Sequence, residues 1–376
     1  MLVIGTLFVR GQRELLRLHE IPDADRVVVL NVNLPPARYP DEGSRSRFYD
    51  AALQGFAAVP GVVAAATCTT TPLSNNGTTW ARVDIEGHDA SPLAPAPYVV
   101  AQSVSPDFLH LMGVPLRDGR TFNEDDRAGT AHVGIVSEAM AQRYWPNGGA
   151  VGKRVRFTER GTSGWLEIVG VAGGVLYDWT HRVPEDVVYQ PVAQAPRAAS
   201  TFTVRVAGDA TRSVKALSEQ LEQLDPLLPV FGVMSLHDAI AESFAGTTQI
   251  STMMNLLGGL AFVIAVIGIY GIVAYTVAAR TREFGVRMAL GARRVDIFRL
   301  VMRHALKLSA WGVCAGVAAA IAATRVTQGL MFGAASATTA TLIGIAILMS
   351  MTTLLACCAP ARRATRADPV NALRVD

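Results

Sequence analysis

The order of apolar and polar positions divides the chain into regions with different solvents. Between Glu242 and Arg280 no residue is charged, and Met253–Ala279 reads MMNLLGGLAFVIAVIGIYGIVAYTVAA. A bilayer span needs about 20 mostly apolar residues, so this run can cross with length left for tilt. Two further runs, 308–324, rich in Ala and Gly, and 340–359, ending at Pro360, predict a second and a third span. The alternative for the Ala-rich run is a buried helix of a soluble domain, and its place between two stronger spans argues against that. At the amino terminus the apolar Met1–Val9 is followed by Arg10, Arg13 and Arg17. A secretory leader carries its charges before the apolar run, so this order predicts the remnant of a first span instead. A short interfacial helix is the other reading.

Residues 25–245 have a different rhythm. Arg26–Leu34 (RVVVLNVNL) predicts a strand, Glu42–Ala58 a helix, and Val62–Thr70 a strand again. Further strands are predicted over Gly164–Val171, Asp186–Gln190 and Thr201–Val206, and a second helix over Thr211–Leu224. Asn76-Gly77, Asp118-Gly119 and Asn147-Gly148-Gly149 signal turns. The mixture is α+β. The reading is therefore a membrane protein with three parts. Residues 1–24 are the remnant of a first span and its stem, 25–245 a large extracytoplasmic α+β domain, and 246–376 an α-helical transmembrane bundle. The bundle has three full spans besides the truncated first one.

Composition supports this division. Of 376 residues half are apolar and 17 % charged, below the roughly 25 % usual for a soluble domain, which points to apolar surface facing lipid. Cys68 stands alone among the first 300 residues, so no disulfide framework holds the external domain; Cys314, Cys357 and Cys358 follow it. Charge is split: residues 1–17 sum to +2, 18–279 to −8 and 280–376 to +9. The basic residues flank apolar runs and are not interleaved with aromatics on a soluble face, which favours a membrane surface over nucleic acid. The segment 280–307 carries eight Lys and Arg against Glu283 and Asp296, and Arg362, Arg363, Arg366 and Arg374 follow the third run. Both segments are therefore predicted to be cytoplasmic, which puts residues 25–245 outside.

No enzyme chemistry emerges from the motifs. The seven histidines are scattered, with no HExxH and no i, i+4 pair. Glu124-Asp125-Asp126 lacks calcium-loop spacing and reads as a solvated turn or helix start. Gly161-Thr162-Ser163-Gly164 lacks the spacing of a nucleophile elbow. In Asn147–Arg154 (NGGAVGKR), Asn replaces the first Gly of a phosphate loop and Arg154 its magnesium-binding Ser or Thr. The chain is thus expected to hold no catalytic residue, cofactor or metal.

Arg280–Ala292 (RTREFGVRMALGA) predicts a short helix, with Thr281 as cap and Gly291 as stop, and a second amphipathic helix, Val295–Leu306, leads into the next span. Snorkelling to headgroups would explain the arginines but not the ordered string. This string and the ending PARRATRADPVNALR (360–374) resemble the cytoplasmic and carboxy-terminal signatures of the MacB/FtsX-like permeases of ATP-binding cassette (ABC) systems. MGVPLRDGRTFNEDD (112–126), VGIVSEAMAQRYWPNGGAVGKRVRF (133–157), EIVGVAGGVLYD (167–178) and DPLLPVFGV (225–233) are similar to segments of the MacB-type periplasmic core. The resemblance is closest to one half of the acidobacterial-type duplicated permeases, often called orphan because no ATPase gene adjoins them.

The resemblance implies a non-catalytic permease subunit in the bacterial inner membrane, passing the closure of a separate cytoplasmic P-loop ATPase to its periplasmic domain for export or mechanotransmission. It also implies a homodimer or a paired second permease half, with a periplasmic adaptor as a further candidate partner. Carried over by position, Arg282, Glu283, Phe284, Gly285, Arg287, Met288, Ala289 and Leu290 form the ATPase-coupling segment. Gly312 and Gly316 offer a small-residue face for helix packing in lipid. The alternative function is an ATPase-independent, membrane-anchored binding or sensory scaffold.

Overall fold

The structure, a computed structural model, describes residues 21–73, 77–88, 96–158, 164–178, 184–280 and 293–330, with single positions between 283 and 290 and between 344 and 355. The expected first-span remnant, Asn76 of the predicted turn and most of the third run lie outside these residues. The chain divides into two compact units, Leu15–Gly246 and Met1–Glu14 with Thr247–Asp376.

The first unit is built on strand β1 (Val27–Asn33), in which Val27–Leu30 and Val32 are almost wholly buried. Such a strand reads as a continuous apolar run because both faces are covered. It pairs antiparallel with β10 (Ala199–Val206), aligning Val27 with Arg205 and Asn33 with Ala199. On its other side lies β11 (Val230–Ser235), and β10 pairs in turn with β2 (Val62–Cys68). Two helices cover one face of these four strands. Helix α1 (Glu42–Ala57) starts where the Asp41 carboxylate accepts the Ser44 N–H at 2.7 Å, and it buries Phe48, Tyr49, Ala52 and Phe56. Helix α4 (Ala210–Leu224) is capped by Asp209 through the Thr211 N–H at 2.9 Å and buries Leu217 and Leu221. These side chains meet Val28, Leu30, Phe202 and Val204 in one core, with Phe202 edge-on to Phe56 at 5.2 Å. Each such side chain stabilises the unit by about 1.5–3 kcal/mol.

The remaining strands close on themselves. β3 (Trp80–Ile85) pairs antiparallel with β4 (Tyr98–Val104) and with β7 (Arg154–Phe157). β7 pairs with β8 (Leu166–Ala172), β8 runs parallel to β6 (Val133–Ser137), and β6 lies antiparallel to β9 (Val187–Pro191). The ring is completed by β9 alongside β4 in parallel, Val100 opposite Val187 and Val104 opposite Pro191. A closed ring leaves no open edge among these six strands. Its core includes Val83, Ile85, Val99, Val136, Val155, Phe157, Ile168 and Val188. It is joined by Met140 of α3 (Glu138–Tyr144), a helix whose cap, Ser137, accepts the Met140 N–H at 3.4 Å. A third core lies on the other face of β1, where Val27 and Val29 pack with α2 (Phe108–Leu111), Tyr177, Tyr189 and the start of α5 (Leu236–Ala279), through Leu236, Ile240 and Phe244.

Two local expectations change. Asp118-Gly119 is no chain reversal; it ends β5 (Leu116–Gly119), which pairs with β8 across an irregularity in register. Gly119 has φ +73°, and a Cβ there would run into the Val169 carbonyl oxygen, so the glycine permits close strand approach. The Glu124–Asp126 stretch is a turn, but Asp126 is buried instead of solvated. Its carboxylate accepts two hydrogen bonds from Arg120, at 2.7 and 2.9 Å, and one from the Asn123 N–H at 2.9 Å. Asn147-Gly148-Gly149 does turn, with φ near +80° at both glycines.

In the second unit α5 supplies Thr248–Ala279, the one described helix long and apolar enough to cross a membrane. The expected second span lies within α6 (Arg294–Leu330). Helix α6 begins with half of a capping box: Asp296 accepts the Arg293 N–H at 3.1 Å. Described positions 344, 347 and 350 in the third run are helical.

Candidate functional site

The predicted coupling segment starts where α5 ends, with the Arg280 N–H bonded to the Thr276 and Val277 carbonyls at 3.2 Å. Of its predicted residues, Glu283, Arg287 and Leu290 are described; Arg282, Phe284, Gly285, Met288 and Ala289 lie outside the described positions. Glu283 and Arg287 are helical, and the Arg287 guanidinium donates to the Glu283 carboxylate at 2.5 Å. Both side chains are nearly half exposed. An i, i+4 pair so placed contributes about 0.3–0.5 kcal/mol. The Leu290 N–H reaches the Val286 carbonyl at 3.0 Å, which continues the turn, and both apolar side chains face solvent, Leu290 at 83 % exposure.

Spacing i, i+3, i+4 and i+7 puts Glu283, Val286, Arg287 and Leu290 on one helical stripe. Val286 was missed by the sequence reading, although its offset of three from Glu283 was a usable signal. Covering a leucine is worth about 1.5–3 kcal/mol, several times the pair. Gly312 and Gly316 lie on α6 with nothing within 4 Å of a Cβ built on either. Among the described residues they are not brought together with the coupling positions.

The first unit carries most of the perturbed titratable groups. The Arg120 hydrogen bonds hold the Asp126 carboxyl below its ordinary value. Asp186 moves the other way: burial raises it despite Arg143, whose guanidinium lies 2.6 Å from one carboxylate oxygen. In DPLLPVFGV, Asp225 is bonded by Arg38 and, at 2.9 Å, by the Tyr39 hydroxyl. Burial together with this carboxylate pushes Tyr39 up to about 12. Burial works to raise Asp225, but the bonds from Tyr39, the Leu227 N–H and Arg38 outweigh it and hold the group low. This latch fixes the loop ahead of β11, on which Leu227 stays exposed, as does Phe231 at the start of the strand. On the outer face of the ring, Arg156 pairs with Asp84 at 2.7 Å and lies 4.9 Å from the Trp165 ring centre. Among the described residues no three His, Cys, Asp or Glu converge as metal ligands.

A family profile for the MacB-like periplasmic core domain matches residues 1–224, and one for the FtsX-like permease C-terminal region matches 255–369. The macrolide export ATP-binding/permease protein MacB of Aggregatibacter actinomycetemcomitans is 28 % identical over 224 residues, covering 57 % of this chain and 34 % of its own length. The MacB protein of Salmonella paratyphi A is 26 % identical over 290 residues, 73 % of this chain and 43 % of its own. An uncharacterized ABC transporter permease of Bacillus subtilis, YknZ, is 21 % identical over 73 % of this chain and 69 % of its own length. The chain thus spans well under half the length of the MacB relatives, and it matches their permease part. The crystal structure of the periplasmic region of MacB from Actinobacillus actinomycetemcomitans aligns over 63 % of this chain and 95 % of that one, with 16 % identity and a TM-score of 0.41. With profile matches to both parts, the chain belongs to the MacB/FtsX-like family of ABC transporter permeases.

Proposed function

We propose that this chain is the permease subunit of an export or mechanotransmission system, in which a separate cytoplasmic ATPase acts on the 280–307 segment and the periplasmic domain moves in response. The observation that carries the reading is the exposed helical stripe of Glu283, Val286, Arg287 and Leu290 in a segment with eight basic residues against two acidic ones. A short helix with exposed apolar side chains can seat in a partner's groove, and the basic excess favours the cytoplasmic side. ATP is hydrolysed by the partner. The working unit is a homodimer or a pair of permease halves, with a periplasmic adaptor as a further partner, in the inner membrane with the large domain outside.

The test is purification of the chain from its native membranes in mild detergent, with mass spectrometry for a co-purifying P-loop ATPase. Recovery of an ATPase whose hydrolysis rate changes in the complex supports the reading. A correctly inserted chain that recovers none favours the membrane-anchored scaffold, in which the external domain acts alone.

A further inference from the structure

Helix α6 carries two cations that no acid among the described residues neutralises. Of the two acids in the 280–307 segment, Glu283 is held by Arg287, and the Asp296 carboxylate accepts the Arg293 N–H. Arg299 and Arg303 are exposed, and among the described residues neither has an ion-pair partner. Trp311 follows on the same helix at 78 % exposure, just inside the predicted span 308–324. With the helical rotation per residue, Arg299, Arg303 and Trp311 stay within about a third of the circumference, and Trp311 lies about 12 Å along the axis from Arg303. Ile297, on the other side of the helix from Arg299, is 2 % exposed, so the helix packs away from the arginine face.

Two guanidinium groups followed by an exposed indole match the depth order of a phospholipid: phosphate first, then glycerol and upper acyl chain. Resting on the cytoplasmic placement of this segment proposed above, we propose that Arg299 and Arg303 bind the phosphate of an anionic phospholipid headgroup, with Trp311 against the glycerol and acyl region of the same leaflet. A guanidinium presents parallel N–H donors that fit two phosphate oxygens. Charge selects the class of lipid. A zwitterionic headgroup brings its own cation into a segment that already holds eight basic residues, whereas an anionic one does not. A soluble phosphate would leave Trp311 without a role.

The experiment reconstitutes the full chain in phosphatidylcholine vesicles containing a minor fraction of lipid brominated on its acyl chain, and reads quenching of indole fluorescence. The signal assigned to Trp311 is the part that Trp311→Phe removes, and insertion is checked by protease protection. Per mole, brominated phosphatidylglycerol should quench Trp311 at least about threefold more than brominated phosphatidylcholine. Arg299→Gln with Arg303→Gln should bring that ratio to about one, with each single change in between. Arg299→Lys with Arg303→Lys, which keeps the charges, should retain roughly half of the preference or more. Equal quenching by the two lipids, or a ratio indifferent to the double glutamine change, would overturn the inference and leave the coupling function standing. A preference abolished by inorganic phosphate would assign the arginines to a soluble anion. Release of a co-purifying ATPase by the double glutamine change, with the lipid ratio unaltered, would assign them to the protein partner; either result overturns the lipid site. Cleavage of the 280–307 segment only from the side of the external domain would remove the cytoplasmic placement, and the coupling function with it.

Discussion

Apolar side chains meet opposite fates in the two units. In β1, Val27, Val28, Val29, Leu30 and Val32 are at most 1 % exposed. Along Thr248–Ala279, Met253, Leu256, Ile264, Ile267 and Tyr275 are 61–77 % exposed. Water drives the first set inward, because apolar surface left in it costs free energy. Lipid removes that drive, so the helix needs length and low charge, and its side chains need no protein partner. Burial is thus a packing requirement in the external unit and an option in the membrane helix.

The largest test of this contrast is truncation of a large side chain in each unit. Phe202→Ala removes the ring at the centre of the α1 core and should cost about 3–5 kcal/mol. Ile267→Ala should change stability by under about 1 kcal/mol, because the side chain is 64 % exposed and packs on little protein. Denaturant melts of the detergent-solubilised chain measure both, and equal losses would break the comparison. Glycine gives the next contrast. Gly119→Ala should cost about 2 kcal/mol, from the positive φ and the clash with the Val169 carbonyl, whereas Gly268→Ala, with open space around it, should be close to neutral in the same melt.

Two buried carboxylates of the external unit sharpen the comparison by pH. The Asp126 group is held low, so its stabilisation is complete above the unfolded carboxyl value of about 3.9 and is lost as pH falls below it. The Asp186 group is raised by burial, so its ionised form costs the native state, and that cost disappears as pH falls through the raised value toward the unfolded one. In melts between pH 7 and 3, Asp126→Asn should flatten the acid loss of stability and Asp186→Asn should steepen it. Matching slopes would show that neither group is coupled to folding. The smallest effect belongs to the outer face of the ring, where Asp84→Ala should cost no more than about 1 kcal/mol, because its pair with Arg156 is partly solvated.

Much of the external fold was legible. The helices starting near 42 and 211 announced themselves through periodic apolar residues, and β1, β2, β8, β9 and β10 through strand-like runs; the Asp41 and Asp209 caps emerged only from the structure. Six of the ring and edge strands, β3, β4, β5, β6, β7 and β11, escaped the pattern reading. In β3 (WARVDI) apolar and polar positions do alternate, but over six residues beside a Gly-containing turn the signal is short. β6 (VGIVS) is buried at every position and carries no alternation to detect. The predicted site was legible as an ordered string, yet its internal Glu283–Arg287 pairing and the exposure of Val286 were not. The sequence shows that two charges are four residues apart but not that a helix turns them toward each other.

The sequence by itself determined the apolar runs, the split of charge and the cytoplasmic prediction for the basic segment, because each is a sum over neighbouring residues that no distant contact changes. Only the tertiary structure decided that six strands close into a ring, that Asp126 is buried against Arg120, and that Gly119 ends a strand. Each of these depends on which remote segment arrives alongside. Val100 meets Val187 from far along the chain, and β1 meets β10 across most of the external domain's length. Such pairings are selected by the joint packing of three cores, a many-body property that no window along the chain contains.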